Sequence, residues 1–214
     1  MTTVLGVDGC RGGWVGALLD DDAVTWLRLP DVDAVLSVGA DAVGIDMPIG
    51  LPRRGRRECD LLAKRLLGRA HPRVFLTPPR AVLAAATYEE AGSLHRRLVD
   101  GKGLSRQTWH LLAKVAEVDC RADDPRLVEV HPELSFALLA GRVLPPKRTA
   151  EGRGARLDVL RRWLPGLTNA PPGDDAPDAL AAAWSAARWL AGSARTLPTD
   201  PPRDQAGRPM RIVS

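Results

Sequence analysis

The short connections between the first three apolar segments place the strongest constraint on how this chain folds. Segments 4–7, 14–19 and 23–29 are separated only by the turn-forming stretches 9–13 and 20–22. Neighbouring parallel strands need a crossover of a dozen or more residues. These three segments can therefore pair only with alternating direction, and the pattern predicts an antiparallel three-strand meander.

The next segments predict a change to parallel pairing. Residues 30–39 have the apolar spacing of a short helix, and an apolar run ends at Asp46. A strand followed by a helix and a second strand favours a right-handed crossover. The segment 42–46 is therefore predicted to lie parallel to an earlier strand, and residues 127–130 are predicted to form a fifth strand.

The rest of the chain is mainly helical in its pattern. Amphipathic spacing and helix-capping residues predict helices at 58–67, 88–99, 105–119, 152–163 and 178–190, with an edge strand within 209–213. We expect one α/β domain over residues 1–214. Its mixed sheet, a meander plus parallel strands, is flanked by helices, and a helical insertion occupies about 53–126.

Composition limits the classes of partner. The formal net charge is +4, but all except four of the 30 basic residues are arginine, which is typical of GC-rich coding and weakens basicity as a sign of nucleic-acid binding. Aromatic residues make up 4% of the chain, which argues against base-stacking platforms.

Cysteine usage and hydropathy indicate where the protein works. Cys10, Cys59 and Cys120 are far apart, which excludes a disulfide framework and a zinc knuckle and fits a reducing cytoplasm. No apolar run approaches the roughly 20 residues of a membrane helix, and the start lacks the pattern of a signal peptide. We expect a cytoplasmic protein with no membrane contact.

Two aspartates that each end an apolar strand are the main functional signal. If the strands of Asp8 and Asp46 are parallel neighbours, their ends lie about 5 Å apart. Carboxylates that close repel unless one is protonated or a cation lies between them, and oxygen ligands suit Mg²⁺ or Mn²⁺. Ligands of open α/β sheets also bind at the carboxyl ends of strands. The alternative interpretation is that each aspartate simply begins a turn.

Further acidic residues follow later strands and helices. Asp175 and Asp178 are three apart at a helix start, so they share a face, although one of Asp174, Asp175 and Asp178 is expected to be only the helix cap. Glu129 lies near the end of the predicted fifth strand. His131 and Glu133, which follow it, are auxiliary candidates, and a lone histidine is more often a structural hydrogen-bond partner.

Three segments resemble a bacterial and archaeal domain-of-unknown-function family of predicted nucleases with the ribonuclease H fold. They are GVDGCRGGWV at 6–15, IDMPIGLP at 45–52 and EVHPE at 129–133, and weaker matches extend the resemblance over nearly the whole chain. Separately, residues 175–181 look like the C-terminal acidic motif of Holliday-junction resolvases. The predicted strand order also agrees with a ribonuclease H-like fold.

The resemblance implies phosphodiester hydrolysis assisted by two Mg²⁺ or Mn²⁺ ions. In this mechanism Asp8 bridges the ions, while Asp46 with Asp175, Asp178 or both completes the ligand set. Glu129 is a fifth candidate. Enzymes of this type often have glutamate in the second or third acidic position, where this chain offers the shorter Asp46. The implied partner is DNA or RNA.

Basic residues near these motifs are candidates for binding phosphate. The run 53–57 follows the Asp46 strand, and Arg11, Arg57, Arg80 and Lys147 all lie in segments that match the family. Arginine binds phosphate in a bidentate manner. The run at 53–57 is equally consistent with a solvated loop.

Two other functions remain open from the sequence. The Gly-rich turn after Asp8 also suits a phosphotransferase of the actin and sugar-kinase type, although such proteins duplicate the fold over a longer chain. A non-catalytic scaffold that binds a nucleotide or nucleic acid is the third interpretation. The oligomeric state is open, and a dimer is compatible with the sequence.

Overall fold

The computed structural model describes residues 2–168 and 170–214. The strands are β1 (Thr3–Cys10), β2 (Gly13–Asp20), β3 (Ala23–Leu29), β4 (Ala42–Ile45), β5 (Leu127–Glu129), β6 (Thr196–Leu197) and β7 (Ile212–Val213). The α-helices are α1 (Val32–Ser37), α2 (Glu58–Leu67), α3 (Tyr88–Leu98), α4 (Arg106–Asp119), α5 (Pro132–Ala140), α6 (Ala150–Trp163) and α7 (Asp175–Leu190). Two 3₁₀ helices cover Gly68–Arg73 and Arg80–Ala84.

Five strands form one mixed sheet in the order β3-β2-β1-β4-β5. β1 pairs antiparallel with β2, and β2 pairs antiparallel with β3, which confirms the predicted meander. β4 lies parallel to β1, and β5 lies parallel to β4. The chain is therefore an α/β protein with a mixed sheet flanked by helices, as the short and long connections predicted.

An alanine-rich helix, α7, packs against β1, β2 and β4. It approaches the sheet where two glycines remove side-chain bulk: a Cβ built on Gly6 would lie 2.0 Å from the carbonyl oxygen of Ala179, and one on Gly44 would lie 2.5 Å from that of Ala182. No Cβ fits at such distances. Helix and sheet backbones are thus in direct contact, which fixes where the first turn of α7 lies.

The core beneath and beside this contact is apolar. Buried side chains of β1 and β2, including Val4 and Val15, pack with residues of the helices α5, α6 and α7, including Phe136, Leu160 and Leu180. Leu180 and Leu160 are fully buried. Burial of aliphatic and aromatic side chains contributes roughly 1.5–3 kcal/mol each, so this cluster holds the helices on the sheet.

The chain divides into two compact units, neither of which is continuous in sequence. The first comprises the described residues up to Met47, with Asp124–Arg195 and Val213–Ser214, and the second comprises Pro48–Asp123 and Thr196–Ile212. The insertion predicted at about 53–126 overlaps the longer segment of the second unit. The single-domain description stays a prediction.

An ion network lies within the second unit. Asp204 accepts hydrogen bonds from the backbone N–H groups of Leu51 (3.1 Å) and Arg208 (2.9 Å) and from the Arg80 guanidinium (2.7 Å). Burial by itself would raise the pKa of Asp204, but these bonds outweigh it and the pKa is lowered. Arg80 and Arg208 both also bind Asp119, so the network ties segment 196–212 to segment 48–123.

The structure differs from the predicted elements in several places. α5, β6 and the two 3₁₀ helices were not predicted, α6 begins at Ala150 rather than at 152, α7 begins at Asp175 rather than at 178, and only residues 212–213 of the segment 209–213 form a strand. β7 pairs with β6 in a separate two-stranded sheet, and Val213 forms an isolated parallel bridge to Val130. None of the described helices combines the length and apolar character that crossing a bilayer requires.

Candidate active site

Two carboxylates lie side by side at the carboxyl edge of the sheet. β1 and β4 are parallel neighbours with Val7 opposite Ile45, so Asp8 and Asp46 are the next residue on each chain. The backbone N–H of Asp46 donates to the carbonyl oxygen of Val7 at 3.1 Å, which extends the pairing by one residue. The strand register therefore brings the two predicted residues together.

A third carboxylate comes from the first turn of α7. Asp178 is buried, with 4% of its surface exposed, and its negative charge raises the pKa of both Asp8 and Asp46. The close contact of α7 with Gly6 and Gly44 holds this turn over the same edge of the sheet. Asp8, Asp46 and Asp178 thus form one acidic cluster, although the first and the last are 170 positions apart in the sequence.

Crowding of like charges away from solvent perturbs the protonation of this cluster. Burial, followed by the charge of Asp178, raises the pKa of Asp8 to about 8. Burial and the charges of Asp8 and Asp178 raise the pKa of Asp46 well above its usual value. Burial also raises the pKa of Asp178. Such a cluster stays fully ionised at neutral pH only if a cation compensates it.

Lys147 supplies part of that compensation. Its Nζ donates to Oδ2 of Asp178 at 2.5 Å, while Oδ1 of Asp178 is buried and has no hydrogen-bond partner among the described residues. Although burial acts to lower the pKa of Lys147, the charges of Asp178, Asp8 and Asp46 raise it on balance. The ammonium therefore stays charged beside all three carboxylates.

A buried ion pair between Arg156 and Glu133 lies next to the loop that carries Lys147. Arg156 is 2% exposed, and its Nη2 donates to Oε1 of Glu133 at 2.6 Å. Its Nη1 donates to the carbonyl oxygens of Pro145 (2.9 Å) and Gly152 (2.8 Å), and so links α6 to the loop that carries Lys147. Arg156 was not among the predicted site residues, because nothing in the spacing of residues 133 and 156 marks them as partners.

The other acidic and auxiliary candidates lie around the cluster. Asp175 is half-buried, and its charge also raises the pKa of Asp8. Glu129 on β5 is paired with Ile45, the residue that precedes Asp46, and its charge makes a smaller contribution to the raised pKa of Asp46. His131 is half-buried at the N-cap of α5, and its carbonyl accepts from the N–H of Ser135. Asp174 occupies the N-cap of α7 without a capping bond from its side chain.

The arginines predicted to bind phosphate have different surroundings. Arg11 is exposed in the turn between β1 and β2. Arg57 and Arg80 belong to the second unit. Arg57 is buried and bonds Asp60 through Nε (3.1 Å) and Nη2 (2.6 Å), and Arg80 binds Asp119 and Asp204. Their roles in binding phosphate stay predictions.

The donor chemistry of the cluster fits a hard divalent cation. Its ligand atoms are carboxylate oxygens, and one of them, Oδ1 of Asp178, is buried without a partner among the described residues. Within 2–168 and 170–214, no three His, Cys, Asp or Glu side chains already surround a point suited to a metal ion. Mg²⁺ does not require such a cage, because it keeps several waters and binds through one or two carboxylates together with substrate phosphates.

Comparison with known proteins identifies a family. The model of a family described as a protein of unknown function (DUF429) matches residues 6–203, a span that contains every member of the acidic cluster. No curated protein and no solved structure matches the chain.

Proposed function

We propose that this chain, which belongs to the DUF429 family, is a metal-dependent nuclease with a ribonuclease H-like fold. The strand order β3-β2-β1-β4-β5, with only β2 antiparallel to its neighbours, supports the fold part of this proposal because it is the order expected for ribonuclease H-like proteins. The acidic cluster supports the nuclease activity in this proposal.

The observation that carries the proposal is the convergence of Asp8, Asp46 and Asp178. Three separate elements bring these carboxylates so close that the charge of Asp178 raises the pKa of both Asp8 and Asp46, and the charge of Asp8 raises that of Asp46. A structural role explains this poorly, because buried like charges cost stability. Strongly perturbed carboxylates at the carboxyl edge of an α/β sheet are instead typical of a catalytic or cation-binding site.

Each residue of the cluster has a role in phosphodiester hydrolysis. Mg²⁺ or Mn²⁺, when bound, supplies Lewis acidity toward the phosphate and lowers the pKa of water to make a nucleophile. Asp8 and Asp46 would hold the cations from the sheet, and Asp178 would hold them from α7 through its unpartnered Oδ1. Asp175 and Glu129 are additional ligands in this proposal.

Lys147 has two contributions in the proposed mechanism. It orients Asp178 by binding Oδ2, which leaves Oδ1 for a cation. Its side chain is 42% exposed, so it also offers positive charge to a phosphate oxygen that enters from solvent. Arg11, which is exposed in the turn after β1, is the second candidate for a phosphate contact in this proposal.

The alternative of an actin-like or sugar-kinase-like phosphotransferase has less support. Such proteins contain the fold twice, whereas residues 2–168 and 170–214 include a single five-stranded sheet. A non-catalytic scaffold remains the second alternative, and it differs from a nuclease in having no need for the three carboxylates.

The test is a cleavage assay with the purified chain. Labelled single-stranded, duplex, DNA–RNA hybrid and four-way-junction substrates are incubated with Mn²⁺ or Mg²⁺. Asp8→Asn and Asp46→Asn are compared with Asp158→Asn, which changes an exposed aspartate on α6. Manganese binding to each variant is measured by calorimetry, and melting temperatures confirm folding.

We expect cleavage that chelator abolishes, that falls at least about 100-fold in both cluster variants, and that stays unchanged in Asp158→Asn. Loss of one ligand or charge-stabilising group typically costs this much or more. Cleavage that survives both cluster variants would come from a contaminant. Manganese binding without cleavage of any substrate contradicts the nuclease, and absence of both binding and cleavage favours the scaffold.

A further inference from the structure

The second unit contains a cavity of about 230 Å³ that the acidic cluster does not use. Its walls come from the segment 72–77, the segment 102–105, the start of α4, and side chains of α2 and α3. All of these residues belong to Pro48–Asp123, so the cavity lies within one unit. The lining residues indicate what it binds.

The lining is strongly basic. Arg56, Lys64, Arg73 and Lys102 line the cavity, and no acidic residue is among the described residues that do so. Arg56 and Lys102 form no ion pair with any described residue. Lys64 donates to the backbone carbonyl of His71 at 3.0 Å, a bond that leaves its charge uncompensated. The cavity therefore favours an anion.

The N-terminus of α4 adds directed hydrogen-bond donors. Ser105 caps this 14-residue helix by accepting from the N–H of Thr108 at 3.0 Å. Ser105, Gln107 and Thr108 all line the cavity. The remaining first-turn N–H groups of a helix have no acceptor within the helix, and its dipole favours a negative charge at this end.

A buried hydroxyl in the cavity wall is a second, independent indication of a ligand site. Thr77 lines the same cavity and is 2% exposed, yet its Oγ1 has no hydrogen-bond partner among the described residues. The backbone N–H of Thr77 is already bonded to Asp60, so only the side chain is unsatisfied. Leaving a buried hydroxyl unpaired costs about 1–3 kcal/mol, and an oxygen-rich ligand in the cavity would remove that cost.

We propose that this cavity binds a phosphate monoester. A terminal phosphate has about −1.5 to −2 charges and three acceptor oxygens, which match several basic side chains, helix N–H groups and a hydroxyl better than a carboxylate does. The volume is below the roughly 300–1,000 Å³ of sites for drug-sized ligands, so the cavity holds a phosphate with a small organic group. The ester is either the terminus of a nucleic-acid strand or a free phosphorylated metabolite.

The experiment is a calorimetric titration of the whole chain in chelator. The probes are inorganic phosphate, phenyl phosphate, and a short oligonucleotide with either a 5′-phosphate or a 5′-hydroxyl. The double variant Lys64→Met/Lys102→Met removes two charges from the cavity, and Thr77→Val removes the hydroxyl while keeping the shape. Arg97→Met removes an exposed charge of α3 that does not line the cavity.

We expect one saturable site for phosphate or phenyl phosphate, weakened at least about tenfold in the double variant and several-fold in Thr77→Val, with Arg97→Met within about twofold of the parent. A marked preference for the 5′-phosphorylated oligonucleotide identifies a strand terminus, and no preference identifies a free ester. Absence of saturable binding, or equal binding by the double variant, overturns the proposal. Because the titration contains no divalent cation, either result leaves the nuclease proposal untouched.

Discussion

The Nζ atom of Lys147 lies 2.5 Å from Oδ2 of Asp178, within a cluster of carboxylates that would otherwise repel one another. One lysine cannot neutralise three carboxylates, and burial, with the charge of Asp178, raises the pKa values of Asp8 and Asp46 despite the nearby ammonium. A divalent cation at Oδ1 of Asp178 would complete the charge compensation. The Lys147 ammonium and a bound cation would therefore compensate the negative charges of the same carboxylates.

Removal of the ammonium makes this relationship measurable. Lys147→Met leaves Asp178 buried without its ion-pair partner, so we expect the free energy of unfolding in chelator to fall by about 1–2 kcal/mol. This loss is smaller than for a fully buried pair, because the lysine side chain is 42% exposed to solvent. Manganese should raise the melting temperature of this variant more than that of the parent. The control is Arg161→Met, which changes an exposed residue of α6. An equal manganese effect on both variants contradicts the prediction.

The contact between Gly6 and α7 predicts intolerance of the smallest side chain. In Gly6→Ala the new Cβ would meet backbone atoms, 2.0 Å from the oxygen of Ala179 and 2.1 Å from the nitrogen of Ala183. We expect a loss of about 3 kcal/mol or more in urea unfolding, since helix and sheet must separate. Gly154→Ala on α6 meets nothing within 4 Å and should instead stabilise by roughly 0.5–1 kcal/mol. Similar effects at both glycines would show that α7 is free to shift.

The buried pair of Arg57 and Asp60 predicts a structural phenotype. Arg57→Met would remove the salt bridge at 2.6 Å and leave Asp60 buried, with hydrogen bonds from the N–H of Thr77 and the Sγ–H of Cys59 still in place. We expect a loss of about 3–5 kcal/mol, measured by urea unfolding. Arg54→Met, at an exposed position, should change stability by less than about 0.5 kcal/mol, as is usual for surface sites. If the Arg57→Met variant keeps parental stability but binds nucleic acid less tightly, the arginine contacts phosphate instead.

Asp204 predicts a pH dependence of stability. Its pKa is lowered in the folded state, so the stability it contributes is present above the unfolded pKa of 3.8 and is lost as the pH falls through the folded value. Asp204→Asn should unfold more readily at neutral pH and lose less stability than the parent between about pH 5 and pH 2. Thermal unfolding across this range measures the difference. Parallel curves for the two chains contradict the assignment.

The elements that sequence predicted best are those set by local rules. Connections of a few residues impose antiparallel pairing on β1, β2 and β3, and a strand–helix–strand order imposes the parallel β4. α5 escaped prediction because five successive residues from Pro132 to Phe136 are buried, which leaves no alternation of apolar and polar faces.

In the candidate site too, local patterns predicted some residues, whereas contacts that depend on tertiary packing were not predicted. Asp8 and Asp46 were predicted because each directly follows a short apolar run, and Asp178 because it lies near the start of a helix. The pairing of Lys147 with Asp178 and of Arg156 with Glu133 depends on tertiary packing of helices and loops that no local pattern encodes. Sequence therefore indicated the carboxylates but not their cationic partners.

The contact between β1 and α7 also has a consequence for the order in which the chain can fold. Gly6 and Ala179 are 173 positions apart in the sequence, so their contact is among the most non-local in the molecule. Contacts of high sequence separation slow folding, because the chain must lose the entropy of closing the intervening loop before the contact can stabilise the fold. During synthesis the glycine-lined surface of the sheet stays uncovered until α7 has left the ribosome. Asp178 can therefore join Asp8 and Asp46 only after nearly the whole of the preceding chain has been synthesised.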